Sequence, residues 1–392
     1  MIIWAEGMVA ELRSRWPGAV EVLARRDDGT ACRALAYTDL VPAPEPGDRL
    51  LLNVAALDSG LGTGGYALVV AVLTAAGRLK DQPSPPRGHL VKARYLPMQA
   101  MVAGADEQGS PFHALLAEAD SIDALPVVVA DLHSALAPIA AAAAAERPGV
   151  RVVYLMSDHG ALPLAFSRTV ARLREAGLIA ATVTAGQAFG GDLETVNVHS
   201  GLLTAKLALQ ADLVVLTQGP GNLGTGTRWG FSGVACGEAV NAAATLGGRP
   251  VGSLRISGAD ARARHRGVSH HSLTAYGRVA LCPADLAVPD LAEAARLRGI
   301  AGLDAVAAMA EQVTSAAESL DRHRRVLVPL DGLDEVLLSS PVPLSTMGRG
   351  LDQDPAYFLA AAAAGRLAAR LLDQPAAGRS GEGRREATEP QP

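Results

Sequence analysis

The chain has 392 residues, 49% hydrophobic content and a formal net charge of -5. This length is sufficient for one large hydrophobic core and a second, small domain. The negative net charge argues against a general basic field for nucleic acid, although local basic patches remain compatible with it. We therefore expect a globular protein without general nucleic-acid binding.

The cysteines and the N-terminus predict a cytoplasmic protein. Cys32, Cys236 and Cys282 are widely spaced and form no C-x-x-C pair, which favours free thiols over a disulfide framework or a zinc knuckle. The N-terminus lacks the basic segment and apolar core of a signal peptide. The alanine run at residues 140–145 is far shorter than the roughly 20 residues of a membrane span. We expect no membrane association.

Residues 1–80 show five short apolar segments separated by turn signals. The turns are Pro17-Gly18, Asp28-Gly29 and Pro46-Gly47, which supply a fixed φ or a site for positive φ. This pattern predicts a small N-terminal β-barrel domain. The glycine-rich stretch at residues 60–66 is interpreted as a barrel loop, with a lid over the main pocket as the alternative.

The pattern changes after residues 81–88, which contain three prolines and mark the predicted domain boundary. Residues 89–372 alternate between apolar strand segments, one of them expected at residues 277–283, and helical segments. Such alternation predicts an α/β domain with a mostly parallel sheet flanked by helices. Residues 373–392 are polar and rich in Pro and Gly, which predicts a disordered tail.

A glycine-rich loop follows the apolar run at residues 213–216. Its glycines allow close approach of the backbone to a ligand, and Ser232 is expected to cap the helix that follows. The loop spells G-x-G-x-x-G, but residues 241–245 carry no acid for a ribose, and no P-loop lysine is present. The alternative is a connection that needs only tight turns. The predicted anion contacts are Gly219, Gly221, Gly224, Thr225, Gly226, Thr227 and Arg228.

Polar and titratable residues follow several predicted strands. In a parallel sheet these positions lie at the carboxyl edge, where ligands collect. We interpret them as candidates for metal or substrate contact, with Asp158 and His159 as candidate catalytic residues. The alternative is that they cap helices or are satisfied by ordinary hydrogen bonds. The residues are Asp131, His133, Asp158, His159, Asp192 and Glu194.

Residues 255–272 hold four arginines and three histidines within one segment. Arginine suits phosphate or carboxylate, and histidine changes protonation near neutral pH, so the segment predicts an anion site with acid/base catalysis by His270 or His271. Of the four arginines, Arg262, Arg264 and Arg266 are the predicted ligand contacts.

A metal site is a second interpretation of the same segment, with His265 as a candidate ligand. Because adjacent side chains point about 100° apart on a helix, we expect only one of His270 and His271 to face the site. The alternative is a solvated basic loop paired with surface acids.

Four strings in the chain are distinctive: LGTGGY from Leu61, TQGPGNLGTGTRWGFSG from Thr217, RHRGVSHHSLTA from Arg264, and STMGRGLDQDPAYFLAAAAAG from Ser345. With these strings, the chain resembles an uncharacterised bacterial family, the domain of unknown function 3866. The resemblance covers nearly all of residues 1–372. It implies no activity, so the function has to be argued from the residues.

The first hypothesis is an enzyme, a hydrolase or transferase, acting on a small anionic metabolite that is phosphorylated or nucleotide-like, with a divalent metal as an optional cofactor. No G-x-S-x-G, H-E-x-x-H or S-x-x-K motif assigns acyl transfer or zinc proteolysis. The alternative is a regulatory or scaffold protein that binds a metabolite and uses the barrel for a partner. Nucleic-acid binding by the barrel is disfavoured because residues 1–80 lack an aromatic platform. A homo-oligomer remains open.

Overall fold

The N-terminal part is a closed five-stranded barrel in a computed structural model that describes residues 2–62, 64–81 and 88–374. The strands pair in the order β1-β2-β3-β5-β4, and the prediction of a small barrel is confirmed. Most of the predicted boundary at residues 81–88 and most of the predicted tail lie outside the described residues. The strands are β1 (Trp4–Trp16), β2 (Ala19–Arg26), β3 (Ala31–Tyr37), β4 (Arg49–Asn53) and β5 (Ala67–Leu73).

Alternating side chains and tight turns account for the barrel. In β4, Leu50 and Leu52 point inward and are fully buried, whereas their neighbours are only half-buried. The turn before β2 places Gly18 at φ +79°, where its missing side chain also leaves room for Ala165 of the next domain. The predicted turn signals therefore set both the strand register and the docking of the barrel.

The remainder of the chain forms an eight-stranded, all-parallel sheet in the order β11-β10-β9-β12-β8-β13-β16-β17. This confirms the predicted α/β class. Three two-stranded antiparallel sheets are separate from it: β6 with β7, β14 with β15 and β18 with β19. These strands are β6 (Leu90–Lys92), β7 (Ala100–Val102), β8 (Pro126–Ala130), β9 (Val152–Ser157), β10 (Ala181–Thr184), β11 (Leu193–Glu194), β12 (Leu213–Gln218), β13 (Arg249–Ser253), β14 (Ile256–Ser257), β15 (Gly267–Val268), β16 (Asp285–Pro289), β17 (Arg324–Val328), β18 (Ser345–Thr346) and β19 (Arg349–Gly350).

The predicted strand at residues 277–283 is wrong. A π-helical turn, Ala275–Val279, occupies the first part of that stretch, and the strand is β16 instead. A short apolar run does not distinguish a strand from a buried helical turn by its period. Here packing decides, because Gly237 lies against Ala275 and Val279.

The helices cover the sheet in two groups. They are α1 (Ala55–Asp58), α2 (His113–Leu116), α3 (Leu136–Glu146), α4 (Arg168–Glu175), α5 (Val198–Leu203), α6 (Ala235–Thr245), α7 (His270–Thr274), α8 (Leu303–Ala307), α9 (Ala310–Glu318), α10 (Leu333–Leu338) and α11 (Pro355–Leu371). The helix after β8, α3, packs with α10 and α11, whereas the helix after β12, α6, packs with α5 and the π-helical turn Ala275–Val279. Since β8 and β12 are neighbours, their helices diverge to opposite faces and leave a crevice between the strand ends.

Small residues let α11 and α3 approach closely. All but one residue of α11 are buried, and a Cβ added at Gly365 would lie 2.1 Å from the carbonyl oxygen of Ile139 in α3. The alanine-rich composition of both helices is therefore a packing requirement, because larger side chains would separate the backbones.

The barrel docks on the α/β domain through polar contacts to the segment around α4. The Trp16 indole Nε1 donates to the Ala165 carbonyl at 2.7 Å, and the Arg168 guanidinium stacks 4.3 Å above the Trp16 ring. Arg168 also pairs with Glu21, which is buried inside the barrel wall. Arg33 of the barrel also pairs with Glu21 at 2.8 Å, so Arg168 adds a second charged contact, which joins the barrel to the segment around α4.

His133, which follows β8, joins three elements at the carboxyl edge. Its Nδ1 lies 3.0 Å from the Tyr154 hydroxyl of β9, and its Nε2 lies 2.7 Å from Ser167 Oγ, the N-cap of α4. Burial lowers the pKa of His133 to about 4. Both ring nitrogens are satisfied, so His133 is a structural residue and not a free metal ligand.

We expect Gly365→Ala to destabilise the fold by about 1–3 kcal/mol, because the new methyl group overlaps the Ile139 backbone. Helix propensity alone favours alanine over glycine by roughly 1 kcal/mol, so by itself it predicts that the substitution stabilises the fold. Urea unfolding of Gly365→Ala beside Gly109→Ala, where a Cβ meets nothing within 4 Å, measures the difference. A Gly365→Ala protein as stable as the wild type would contradict the close packing.

Acid is expected to weaken the fold partly through His133. Below pH 6.5 the unfolded chain binds a proton that the folded His133 does not bind until about pH 4. This contribution to stability is therefore complete above pH 6.5 and falls as the pH drops towards 4. In His133→Gln the decline should be shallower by up to about 1.4 kcal/mol per pH unit. Urea unfolding across this window measures both slopes, and equal slopes would contradict the assignment.

Candidate functional site

A cleft of about 230 Å³ lies in the crevice at the carboxyl ends of three neighbouring strands. Asp131 follows β8, Ser157 ends β9 and Gln218 ends β12, and all three line the cleft. The N-terminal turn of α6 forms another wall, with Ala235 and Cys236. The topology of the sheet thus brings polar groups together at the place where α/β proteins bind ligands.

Gln218 presents a hydrogen-bond acceptor in this cleft. Its Nε2 donates to the Asp131 carbonyl at 2.7 Å, which fixes the orientation of the amide. Its Oε1 is buried and has no hydrogen-bond partner among the described residues. A buried unsatisfied oxygen costs stability, so it is typical of a group that a ligand completes.

A buried guanidinium connects the end of β8 to the segment after β13. Arg255 is only 4% exposed, and its Nη1 lies 3.6 Å from Asp131 Oδ2 while its Nη2 lies 3.6 Å from Asp260 Oδ2. Asp260 also accepts hydrogen bonds from Nε and Nη2 of Arg262, both at 2.9 Å. The hydrogen bonds from Arg262 hold the pKa of Asp260 well below its ordinary value. Both carboxylates therefore compensate the buried charge of Arg255.

Asp131 lines the cleft and also contacts Arg255 and His271. Burial raises its pKa, but the His271 imidazole and the Arg255 charge outweigh burial, so the pKa of Asp131 lies below its ordinary value. Asp131 is therefore a carboxylate at neutral pH. Burial and the Asp131 charge raise the pKa of the neighbouring Cys236 thiol well above its ordinary value, which excludes a ready thiolate nucleophile there.

Three imidazoles converge beside Asp131. The ring centroids of His265, His270 and His271 are 4.5 to 4.9 Å apart, and Phe231 stacks on His271 at 3.7 Å. His270 and His271 begin α7, and the short turn at Ala263–His265 lies beside them. Contrary to the expectation that only one of the adjacent histidines faces the site, both rings lie in the cluster, with centroids 4.5 Å apart. The chain reversal through β14 and β15 brings His265 beside them.

His265 and His270 are weakly basic imidazoles in a buried setting. Burial lowers the pKa of His265 to about 3 and that of His270 to about 4, with the charge of Arg255 contributing to both. One nitrogen from each of the three rings lies within 4.8 Å of the others. Neutral imidazoles in this arrangement are able to bind a metal ion.

The glycine-rich loop lies outside the cleft. Apart from the buried Gly219, which packs against Ala161, the predicted contacts from Gly221 to Arg228 are exposed. Thr225 N donates to the Gly230 carbonyl, and Ser232 Oγ accepts from Leu223 N. Ser232 therefore fastens the loop, and its side chain does not cap α6 as expected.

The arginines of residues 255–272 differ in whether neighbouring residues hold their side chains by hydrogen bonds or ion pairs. Arg262 is held by Asp260, and Arg266 Nε donates to the Asp260 carbonyl at 2.9 Å. Arg264 is exposed and makes no hydrogen bond or ion pair with a described residue. Its Nη2 lies 3.5 Å from the position that a Cβ would take if one were added to Gly226. Arg264 and the glycine loop are thus close together at the rim of the site.

Asp158 and His159 follow β9, close to the cleft. His159 lines it, with Nδ1 3.2 Å from Ser157 Oγ, whereas Asp158 Oδ2 accepts from the Gln187 backbone N–H at 2.9 Å. His159 is therefore a contact candidate, and Asp158 is engaged in holding a loop.

The other metal candidates lie at the far edge of the sheet. Asp192 pairs with Arg174, and Glu194 lies 3.3 Å from Lys92 and accepts from Thr184 at 2.7 Å. Strands β9 and β12 separate this edge from β8. Asp192 and Glu194 are not brought together with His265 or Asp131.

Sequence reasoning did not identify Gln218, Phe231 or Asp260 as parts of the site. Gln218 had a usable signal, since it is the last residue of a buried strand that ends at the ligand edge. Phe231 had none, because its role arises from a contact to His271 that is distant in sequence, whereas Asp260 was the single acid within residues 255–272 and therefore an available partner for their arginines.

The wider comparisons agree with the resemblance noted from the sequence. No curated protein and no solved structure matches the chain. No helix among the described residues is both long and apolar enough to cross a membrane. A family model described as a protein of unknown function (DUF3866) matches residues 33–365. The chain is therefore a member of the DUF3866 family.

Proposed function

We propose that the protein is a hydrolase or transferase acting on a small anionic metabolite at the carboxyl edge of the parallel sheet. The observation that carries the proposal is the juxtaposition of the buried Asp131, Arg255 and His271 with a cleft at the point where neighbouring helices diverge. Buried charges are expensive for stability, so such a cluster beside a cleft is typical of a reactive site.

The charge around the site favours an anionic substrate. Residues 255–272 carry four arginines against the single acid Asp260, and Arg264 stands unpaired among the described residues at the rim. The phosphate or carboxylate would approach Arg264 and the N–H groups of the glycine loop. An uncharged part of the substrate would enter the cleft, where Gln218 Oε1 accepts a hydrogen bond.

The imidazoles supply the groups that activate a nucleophile, either water or an acceptor hydroxyl. Asp131 acts through His271, since its Oδ2 lies 3.4 Å from His271 Nδ1. It is a positioning residue that sets the tautomer and the ring orientation of His271. Arg255 keeps Asp131 ionised and in place.

A row of apolar residues on the barrel favours the alternative of a metabolite-dependent scaffold. Trp4, Met8 and Leu12 on β1 are 47%, 48% and 43% exposed. Exposed apolar surface of this kind is typical of interaction sites. A wild-type protein that binds an anion but turns over no substrate would favour this second function.

Removing the free guanidinium should weaken anion binding. A thermal-shift titration with inorganic phosphate, adenosine monophosphate and citrate identifies the anion class, since a ligand at 100 times its Kd stabilises by about 2.7 kcal/mol. We expect Arg264→Ala to raise the Kd about tenfold, the equivalent of about 1.4 kcal/mol. The matched control is Arg278→Ala, another exposed arginine without a partner among the described residues. Equal affinities of both variants would contradict the role of Arg264.

Changing the positioning carboxylate should affect turnover more than binding. With p-nitrophenyl phosphate and nucleoside triphosphates as probes, we expect Asp131→Asn to lower kcat at least about 100-fold with little change in KM, and to shift the pH profile. Asp192→Asn, at the far edge of the sheet, is the control. Unchanged kcat in Asp131→Asn, or no turnover of any probe by the wild type, would remove the support for catalysis at this cluster.

A further inference from the structure

We infer that His265, His270 and His271 form a binding site for a divalent transition-metal ion of the Zn²⁺ type. The inference deepens the proposed function, because a bound metal ion would be the way in which the imidazoles take part in catalysis. Only this catalytic role rests on the proposed function. The site itself stands on geometry: three rings with centroids 4.5 to 4.9 Å apart, each offering a nitrogen within 4.8 Å of the other two.

Two of these nitrogens are buried without a partner. Nε2 of His265 and Nε2 of His270 have no hydrogen bond to any described residue. The other nitrogen of His265, Nδ1, lies 2.7 Å from Ser269 Oγ. With Nδ1–H donating to Ser269, His265 Nε2 carries a lone pair that is available to a metal ion. Unsatisfied buried nitrogens cost stability, and a shared metal ion accounts for both at once.

The third imidazole has the carboxylate partner that is common in metal sites. His271 Nδ1 lies 3.3 Å from Arg255 Nη1, which donates to it when Nδ1 is unprotonated, and 3.4 Å from Asp131 Oδ2, a buried oxygen that has no hydrogen bond of ordinary geometry among the described residues. When Nδ1 carries the proton, this oxygen gains a donor and His271 Nε2 is left as a ligand. A carboxylate behind a ligating histidine fixes its tautomer and raises its basicity.

Aromatic packing alone does not explain the cluster. Phe231 stacks on His271 with an interplanar angle of 4°, which satisfies the ring face of His271. It provides no hydrogen bond for His265 Nε2 or His270 Nε2. Apolar residues of similar size would pack there without leaving two nitrogens unsatisfied.

The three imidazole nitrogens indicate which metal ion the site would bind. Three imidazoles suit Zn²⁺, Cu²⁺ or Ni²⁺, whereas Mg²⁺ and Ca²⁺ prefer oxygen ligands. Three protein ligands leave a fourth tetrahedral position for water or substrate. The nearby positive charge of Arg255 opposes a cation at these rings, and the carboxylates of Asp131 and Asp260 offset it. Nitrogens bound to Zn²⁺ at about 2.0–2.1 Å lie about 3.4 Å apart, so loading would draw the three rings together.

The test is a Zn²⁺ titration of the chelator-treated full-length protein in competition with a chromophoric chelator, repeated with Co²⁺ for its visible bands. We expect one ion per chain, with Mg²⁺ in excess failing to displace it. His265→Ala and His270→Ala should each weaken binding at least 100-fold, and Asp131→Asn about 10–100-fold. His89→Ala, which removes an exposed histidine far along the chain from the cluster, should bind as the wild type does.

His265 is fully buried, so His265→Ala can lose its fold; the half-buried His270 offers a second variant, His270→Gln, that keeps the size of the side chain. Loss of Zn²⁺ binding in folded His270→Gln supports the site. Zn²⁺ binding that persists in His270→Gln, or a wild type that binds no Zn²⁺, overturns it. Because binding is measured without turnover, a protein that binds Zn²⁺ at this site but hydrolyses no phosphate ester loses the proposed function and keeps the metal site.

Discussion

The position of the candidate site depends on one buried guanidinium. Arg255 is 4% exposed and has to be compensated where it lies. Its contact with Asp131 joins the segment after β13 to the end of β8, and its contact with Asp260 lies within that segment. Removing one partner of such a group would leave an uncompensated buried charge, which typically costs 3–5 kcal/mol. The arrangement stabilises one geometry of the segment more than it stabilises the fold as a whole.

Fixing that segment also fixes the imidazoles. Asp354, just before α11, accepts from Ser257 Oγ at 2.6 Å and from Gly258 N at 3.1 Å, which ties the segment to the most buried helix of the protein. Ser272 Oγ accepts from the Arg255 backbone N–H at 2.9 Å and joins the segment to α7. Rigid support of this kind is what a reactive or metal-binding cluster requires, because small displacements of its ligands lower affinity and rate.

The sheet contributes the remaining part of the site through its connections. Because α3 and α6 leave neighbouring strands toward different groups of helices, the ends of β8 and β12 remain uncovered, and Asp131 and Gln218 meet there. The close contact of α3 with α11 at Gly365 and of α6 with the π-helical turn at Gly237 keeps both layers near the sheet. Small side chains in these helices thus determine the depth of the cleft as well as the core packing.

Alternation, turn residues and composition are local signals, so they were enough to predict the barrel, the parallel sheet and the enrichment of reactive residues at residues 255–272. The other features depend on how the chain folds. The glycine motif proved to be an exposed, self-bonded loop, since local spelling does not report what the loop faces. His133 is satisfied by Tyr154 and Ser167, Asp192 and Glu194 lie at the other edge, and His265 meets His270 and His271 only through a chain reversal. Contacts between residues distant in sequence leave no periodic trace, so only the folded chain separates the structural candidates from those that share a site.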